Sequence, residues 1–402
     1  MRRLLSRLRR DLWERPPGRF EPLDGLRAFA SLSVVLFHCG IFSGALGAFS
    51  GSPGTLGPFE WLLTGFWSGV DIFFVLSGFL IGRILLVNLA RDRSLRWPDF
   101  MRRRFFRIVP AYYLVLTVSL LGIAPSMPGL FPYLYLTPDW QRLLDGAWAS
   151  YAFVSNYVQP GSHPGLLTWG WSVCIEEHFY LLLPPLLWLL FRLRSDRLRL
   201  ALLAALALVP LALRAAQYEL RPDLLLLEGF YYYSHNRFDE LLVGTLVAYG
   251  YVMHRRRLES EVRAAGPWAG LFGVGLVASV WWAGGLHRTG PFTVVWQFLV
   301  VALGTALLVL NGLFLDNRLS RCLAHRAWVP FARISYGTYL IHPFVIFAWL
   351  SAYGLTPDQN LGAGGFALLS LATIAGSSLV AALSFSFVER PLLERGARAA
   401  GS

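Results

Sequence analysis

The sequence predicts an all-α, polytopic membrane protein with about ten transmembrane helices and both termini in the cytoplasm. Composition is the first observation behind that fold class. The chain has 402 residues, of which 55% are hydrophobic, 15% aromatic and only 15% charged. A soluble domain carries about 25% charged residues. The second observation is length. Several segments run to about 20 residues with few or no charges, enough to cross a hydrocarbon core of about 30 Å. The third is the spacing of the basic residues, all of which are arginine.

Ten segments fit a membrane span: 26–46, 69–89, 106–124, 169–191, 198–215, 236–253, 266–285, 292–312, 333–353 and 363–387. Arginine falls on alternate connections. It fills the N-terminal arm (Arg2 to Arg19) and recurs at Arg91–Arg107, Arg192–Arg199, Arg255–Arg263, Arg318–Arg333 and Arg390–Arg398. The intervening connections hold only Arg142, Arg221 and Arg288. The arginine-rich side is expected to be cytoplasmic. An even number of spans and two cytoplasmic termini follow. The net charge of +12 is thus a topology signal with anionic lipid contact. No recognition motif accompanies it, so nucleic acid is not expected as a partner.

Residues 1–22 form a basic arm without the short apolar core and cleavage site of a signal peptide. They are expected on the inner leaflet as an amphipathic segment. A membrane domain is expected over 23–393, and a cytoplasmic tail over 394–402. The three cysteines, Cys39, Cys174 and Cys322, give neither a disulfide framework nor a metal spacing. The longest connection is 125–168. Its piece 145–158, "DGAWASYAFVSNYV", is too short to span and reads as a re-entrant or interfacial segment packed against protein.

Polar groups inside spans are costly, so each is a candidate for function. The first span contains Arg27 and His38. Eleven residues are about three helical turns, which puts both side chains on one face about 16 Å apart along the axis. Arg27 then lies at the cytoplasmic edge and His38 near the midplane. The plain alternatives are a snorkelling arginine and a histidine bonded between helices. In the second span, "GVDIFFVLSGFLIGRILL", Asp71 lies toward the outer end, Ser77 and Gly78 in the middle and Arg83 toward the inner side. The Ser-Gly pair has a packing explanation as well. In "RRRFFRIVPAYY", Arg104 and Arg107 share a helix face, either as surface anchors or as phosphate-binding forks. Glu176 in "WGWSVCIEEHFYLLLP" lies about 10 Å along its helix from Trp169, while Glu177 points about 100° away. His342, in "ISYGTYLIHPFV", reaches a depth comparable to His38. Arg237 and Asp239, at the outer end of span six, either pair locally or line the acceptor's access route.

These runs together resemble the acyltransferase-3 family of integral membrane proteins. "LDGLRAFASLSVVLFH" carries the R-x10-H arrangement at Arg27 and His38. "FFVLSGFLI" resembles the F-F-x-x-S-G-F element, and "RRFFRIVPAYY" the R-x-x-R element at Arg104 and Arg107. "WSVCIEEHFYLLLP" resembles W-S-L-x-x-E at Trp171, Ser172 and Glu176. "NRFDELLVGTLVA", "ISYGTYLIHPFV" and "FVERPL" fit its later spans, so the similarity covers roughly residues 20–393. Cys174 stands where serine is usual and His178 where glutamine is usual.

The resemblance implies an enzyme that moves an acyl group, commonly acetyl, from a cytoplasmic coenzyme A thioester to a hydroxyl. Acceptors in the family include surface polysaccharides, lipid-linked glycans and natural products. A soluble hydrolase-like domain often accompanies polysaccharide acetylation. None follows the last span in this sequence, so the acceptor stays open. His38 is the expected base toward the acceptor, or else a nucleophile through an acyl-imidazole. Glu176 is expected to orient and charge-balance it, with Asp71 as the alternative partner. Arg27, Arg83, Arg104 and Arg107 are the candidates for the donor's phosphates. Ser77, Trp171, Ser172, His342 and Arg237 are candidates for substrate contact. Acyl-CoA is the expected donor, no metal is expected, and the cell's inner (cytoplasmic) membrane is the expected location. Two rival classes are a transporter or flippase using the same polar track, and a membrane scaffold in which Arg27, His38 and Glu176 tolerate substitution.

Overall fold

The computed structural model describes residues 2–15, 18–47, 56–92, 95–123, 140–158, 167–283, 285–286, 290–357 and 359–400. The described residues contain no strand. Helix α1 (Arg2–Trp13) is basic and strongly amphipathic. Helix α2 (Glu21–Phe42) opens on Pro22 with Glu21 and Asp24 in its first turn, residues that suit a helix start. Next come α3 (Glu60–Gly65), α4 (Gly69–Asp92) and α5 (Trp97–Val118). The short α6 (Trp140–Tyr151) and α7 (Ser155–Val158) precede α8 (Trp171–Arg192). Helix α9 (Asp196–Leu220) is capped by Ser195, whose hydroxyl accepts from the Leu198 amide. The chain continues through α10 (Phe238–Met253), α11 (Arg255–Ala265), α12 (Trp268–Ala283) and α13 (Gln297–Phe314). It ends with α14 (Arg318–Leu323), α15 (Trp328–Ala352), α16 (Gly362–Ser384) and α17 (Arg390–Ala400).

Each of the ten expected spans falls on one of these helices. Eight helices among the described residues are long and apolar enough to cross a membrane. Helices α11 and α12, bent by 80° where they join, give a ninth if taken as one span. Helix α10 has 16 residues, about 24 Å of helix, and is buried at most of its positions. Helix α5 starts nine residues before the expected span, because Pro98 sets its first turn and the arginine-rich stretch is already helical. The segment 145–158 is helical up to Tyr151 and again over Ser155–Val158, with a break between, and packs against protein. Phe153 stacks on Tyr112 at 4.8 Å, and Asn156 donates to the Tyr232 carbonyl and to Ser234. The rest of 125–168 lies outside the described residues, apart from 140–144 and 167–168.

Two features position the interior. Helices α4 and α10 meet at a glycine seam. A Cβ on Gly78 would fall 1.9 Å from the Leu241 carbonyl oxygen, and one on Gly244 would fall 2.1 Å from that of Val75. Only glycine lets the backbones approach this closely. Beside the seam lies a fully buried ion network. The Arg237 guanidinium bonds Asp71 on α4 at 2.6 Å and Glu240 at 2.8 Å, and Arg214 on α9 bonds Asp239 at 2.6 Å. At the end of the bundle where α2 begins, Asp11 of α1 pairs with Arg390 of α17, and Arg7 donates to the Ser386 carbonyl at 2.7 Å. The N- and C-terminal helices therefore share one face.

Candidate active site

Two cavities lie end to end inside the bundle and share Val70 and Tyr339 as lining residues. The first, about 280 Å³, is basic. Arg27 of α2, Arg104 and Arg107 of α5, Ser77 of α4, and Ser172, Glu176 and Tyr180 of α8 line it. The second, about 230 Å³, is aromatic and contains His38. Phe37, Trp67, Trp171, Tyr231 and Phe347 are among its walls.

In the basic cavity three guanidiniums face one carboxylate. Glu176 accepts from the Tyr180 hydroxyl at 2.7 Å, and Tyr180 lies 2.6 Å from the Ser77 hydroxyl. A phenol has one proton, so Ser77 donates to Tyr180 and Tyr180 to Glu176. The Arg104 guanidinium lies 5.9 Å from the Tyr180 ring, and its buried Nε has no hydrogen-bond partner. A buried donor left open beside other arginines suits an incoming anion. Arg83 is elsewhere. Its guanidinium lies over Phe20 at 5.0 Å and Tyr251 at 6.0 Å, and it lines neither cavity.

In the aromatic cavity the partner of His38 is His342. Nδ1 of His38 lies 2.9 Å from Nε2 of His342. The protons in this pair can be assigned. Nδ1 of His342 lies 2.8 Å from the Tyr339 carbonyl and 3.2 Å from that of Thr338. Carbonyls only accept, so His342 carries its proton on Nδ1 and offers a lone pair at Nε2. His38 must then donate from Nδ1, and its Nε2 is left with the lone pair. Tyr339 fixes this arrangement from the other side. Its hydroxyl donates to the Trp169 carbonyl at 2.5 Å and lies 2.7 Å from Ser172, which donates to it.

The structure therefore separates some predicted partners and joins others. Arg27, Arg104, Arg107, Ser77, Ser172 and Glu176 share the basic cavity, while His38 and Trp171 share the aromatic one. Glu176 is held by Tyr180, not by His38. Asp71 is engaged by Arg237 rather than by a histidine. The expected local pair of Arg237 with Asp239 is not formed. Asp239 turns to Arg214 on α9, while Glu240, three residues after Arg237, returns to it on the same helix face. Arg237 supports the cavities from behind, its guanidinium 4.7 Å from the Tyr231 ring and 5.5 Å from that of Trp171. Sequence reasoning missed Tyr180, Tyr339 and Arg214. Tyr180 lies four residues after Glu176 and Tyr339 three before His342, spacings that place each pair on one helix face.

The acyltransferase-3 family model, an acyltransferase domain, matches residues 21–382. The chain belongs to that family. It is 30% identical over 390 residues to the putative peptidoglycan O-acetyltransferase YrhL of Bacillus subtilis, an alignment covering 94% of this chain and 55% of the relative. It is 26% identical over 390 residues to the peptidoglycan O-acetyltransferase OatA of Listeria monocytogenes, covering 93% and 56%. With the O-acetyltransferase OatA of Staphylococcus aureus the identity is 23% over 400 residues, covering 95% and 58%. This acyltransferase-3 chain thus spans little more than half the length of these curated relatives. No solved structure matches it.

Proposed function

We propose that the protein is a membrane O-acetyltransferase that moves an acetyl group from cytoplasmic acetyl-CoA to a hydroxyl of a cell-surface glycan, a lipid-linked sugar or a secondary metabolite. The names of its relatives favour a glycan acceptor. The observation that carries the reading is the pairing of an arginine-lined cavity with a histidine whose Nε2 is free, the two spaces meeting at Tyr339. Arg27, Arg104 and Arg107 are the groups that bind the donor's phosphates. The arginine-rich face is cytoplasmic and the membrane is the inner one on this reading. The pantetheine arm passes Tyr339 and brings the thioester carbonyl to His38.

The acceptor hydroxyl gives its proton to Nε2 of His38 as its oxygen attacks the carbonyl carbon. The tetrahedral intermediate collapses by breaking the C–S bond. The departing thiolate takes the proton from the imidazolium, leaving the ester and coenzyme A. His342 holds the ring and accepts from Nδ1 throughout.

The test is donor turnover and product formation by the purified chain with labelled acetyl-CoA and candidate acceptors. His38→Ala lowers transfer by about a hundredfold or more with the protein still folded. Arg104→Ala instead raises the donor concentration needed for half-maximal rate. Full transfer by His38→Ala overturns the assignment. An unchanged donor dependence in Arg104→Ala removes the phosphate clamp.

A further inference from the structure

Another cavity, polar and about 640 Å³, lies between the ends of α4, α8 and α10 and the turn joining α8 to α9. Arg192, Arg194 and Arg199 line it, and it shares no lining residue with the basic cavity of the site. Among the described residues that line it there is no carboxylate. Arg199 is fixed at its back, donating from Nε and Nη2 to the Leu193 carbonyl at 3.0 and 2.6 Å with its guanidinium over Phe191 at 4.6 Å. Arg192 packs over the Trp188 ring at 4.1 Å, and both Arg192 and Arg194 are exposed. The acid nearest in sequence, Asp196, does not line the cavity and has both oxygens engaged elsewhere. One oxygen of Asp196 accepts from Tyr249 at 2.5 Å, and the other lies 2.8 Å from Nε2 of His254.

We propose that this cavity binds the headgroup of an anionic phospholipid, with the phosphate held between Arg192 and Arg194. Three guanidiniums without a carboxylate among them leave a positive concavity, and their fork geometry suits phosphate oxygens. The place is right for a headgroup. Helices α4, α8 and α10 all end here and α9 begins, which is the depth of the membrane interface. A soluble anion would use only the arginines. Here the lining also includes Trp188, 43% exposed on α8, with the 61% exposed Leu189 next to it on the helix surface, where a lipid's chains would lie. The proposal rests on the membrane-spanning reading of the helices and not on the chemistry at His38.

The experiment uses the purified full chain stripped of native lipid into phosphatidylcholine nanodiscs or mild detergent. Thermal unfolding and lipid retention by native mass spectrometry are read as phosphatidylglycerol is added. Phosphatidylglycerol raises the unfolding temperature and is retained, whereas phosphatidylcholine does neither. The variant R192Q/R194Q binds phosphatidylglycerol at least about tenfold more weakly. R192K/R194K keeps most of the binding, and R256Q/R257Q, which removes the same charge elsewhere, keeps all of it. Equal protection by phosphatidylcholine in the unmodified protein overturns the proposal. So does equal loss in R256Q/R257Q, which would mean diffuse surface charge. Equal protection by inorganic phosphate or by coenzyme A would show a soluble-anion site instead and overturn the lipid assignment.

Discussion

His38 is set by a partner that is itself set by the backbone. The carbonyls of Thr338 and Tyr339 hold the proton of His342 on Nδ1, and that fixes the tautomer of His38. On the proposed mechanism His342 is a positioning residue, and its loss should show in turnover rather than donor affinity. His342→Phe, which keeps an aromatic ring but offers no acceptor, is expected to lower kcat roughly ten- to a hundredfold, the loss typical of an orienting partner. KM for acetyl-CoA should stay near its original value. His342→Gln, whose amide oxygen can accept from Nδ1, should recover part of the rate. Steady-state kinetics on the three proteins check this. A rise in KM with kcat intact would move His342 into donor binding. Glu176 has a different neighbourhood, bonded to Tyr180 among the arginines, so Glu176→Gln should act chiefly on the donor side of the kinetics.

Among the elements, α4 supplies a wall of the basic cavity and is seated on α10 through the glycine seam. Val70, Phe74 and Ser77 on α4 line the site, and Gly78 follows them directly at the seam. A methyl group at Gly78 meets backbone, which cannot turn aside. One at Gly82 meets the side chain of Ala248 at 3.2 Å, where a shift of a few tenths of an ångström suffices. Gly78→Ala is therefore expected to destabilise by about 1–3 kcal/mol, as overpacking does, and to lower activity by displacing α4 and the cavity residues it carries. Gly82→Ala should cost less than about 1 kcal/mol. Thermal unfolding in detergent, followed by size-exclusion fluorescence, separates the two. The Arg237 network reinforces the same junction, because removing its guanidinium would strand the Asp71 and Glu240 carboxylates in the interior.

At the scale of the whole molecule, the cysteines report orientation. Cys39 and Cys174 are buried, and Cys322 on α14 is exposed. Helix α14 lies on the same face as the N-terminal arm, since Arg15 donates to the Ala324 carbonyl at 2.7 Å. If that face is cytoplasmic, an impermeant maleimide added to intact cells should leave the unmodified protein unlabelled. Permeabilised cells should give one label per chain, lost in Cys322→Ser. Labelling of intact cells would invert the topology, and with it the side from which the donor reaches Arg104.

The sequence by itself determined the membrane class, the helices and their order. Uncharged runs of helical length have few other solutions, and alternating arginine clusters mark one face. It also singled out much of the lining of one cavity. Arg27, Arg104, Arg107, Ser77 and Glu176 were legible as polar groups in or beside the spans, Ser172 through the family resemblance, and all line one cavity. What it did not determine was which polar group meets which. Glu176 and His38 have comparable depths along their helices, yet depth leaves rotation and the neighbouring helix open. Only the packed bundle directs Glu176 to Tyr180, His38 to His342, and Asp71 to Arg237. The physical reason is that helix geometry is local, fixed by 3.6 residues per turn. The facing of one helix toward another depends on side chains far apart in the chain, such as Gly78 against Leu241. The sequence showed that His38 was an unlikely tenant of lipid. The tertiary structure decided that its Nε2 is the free nitrogen.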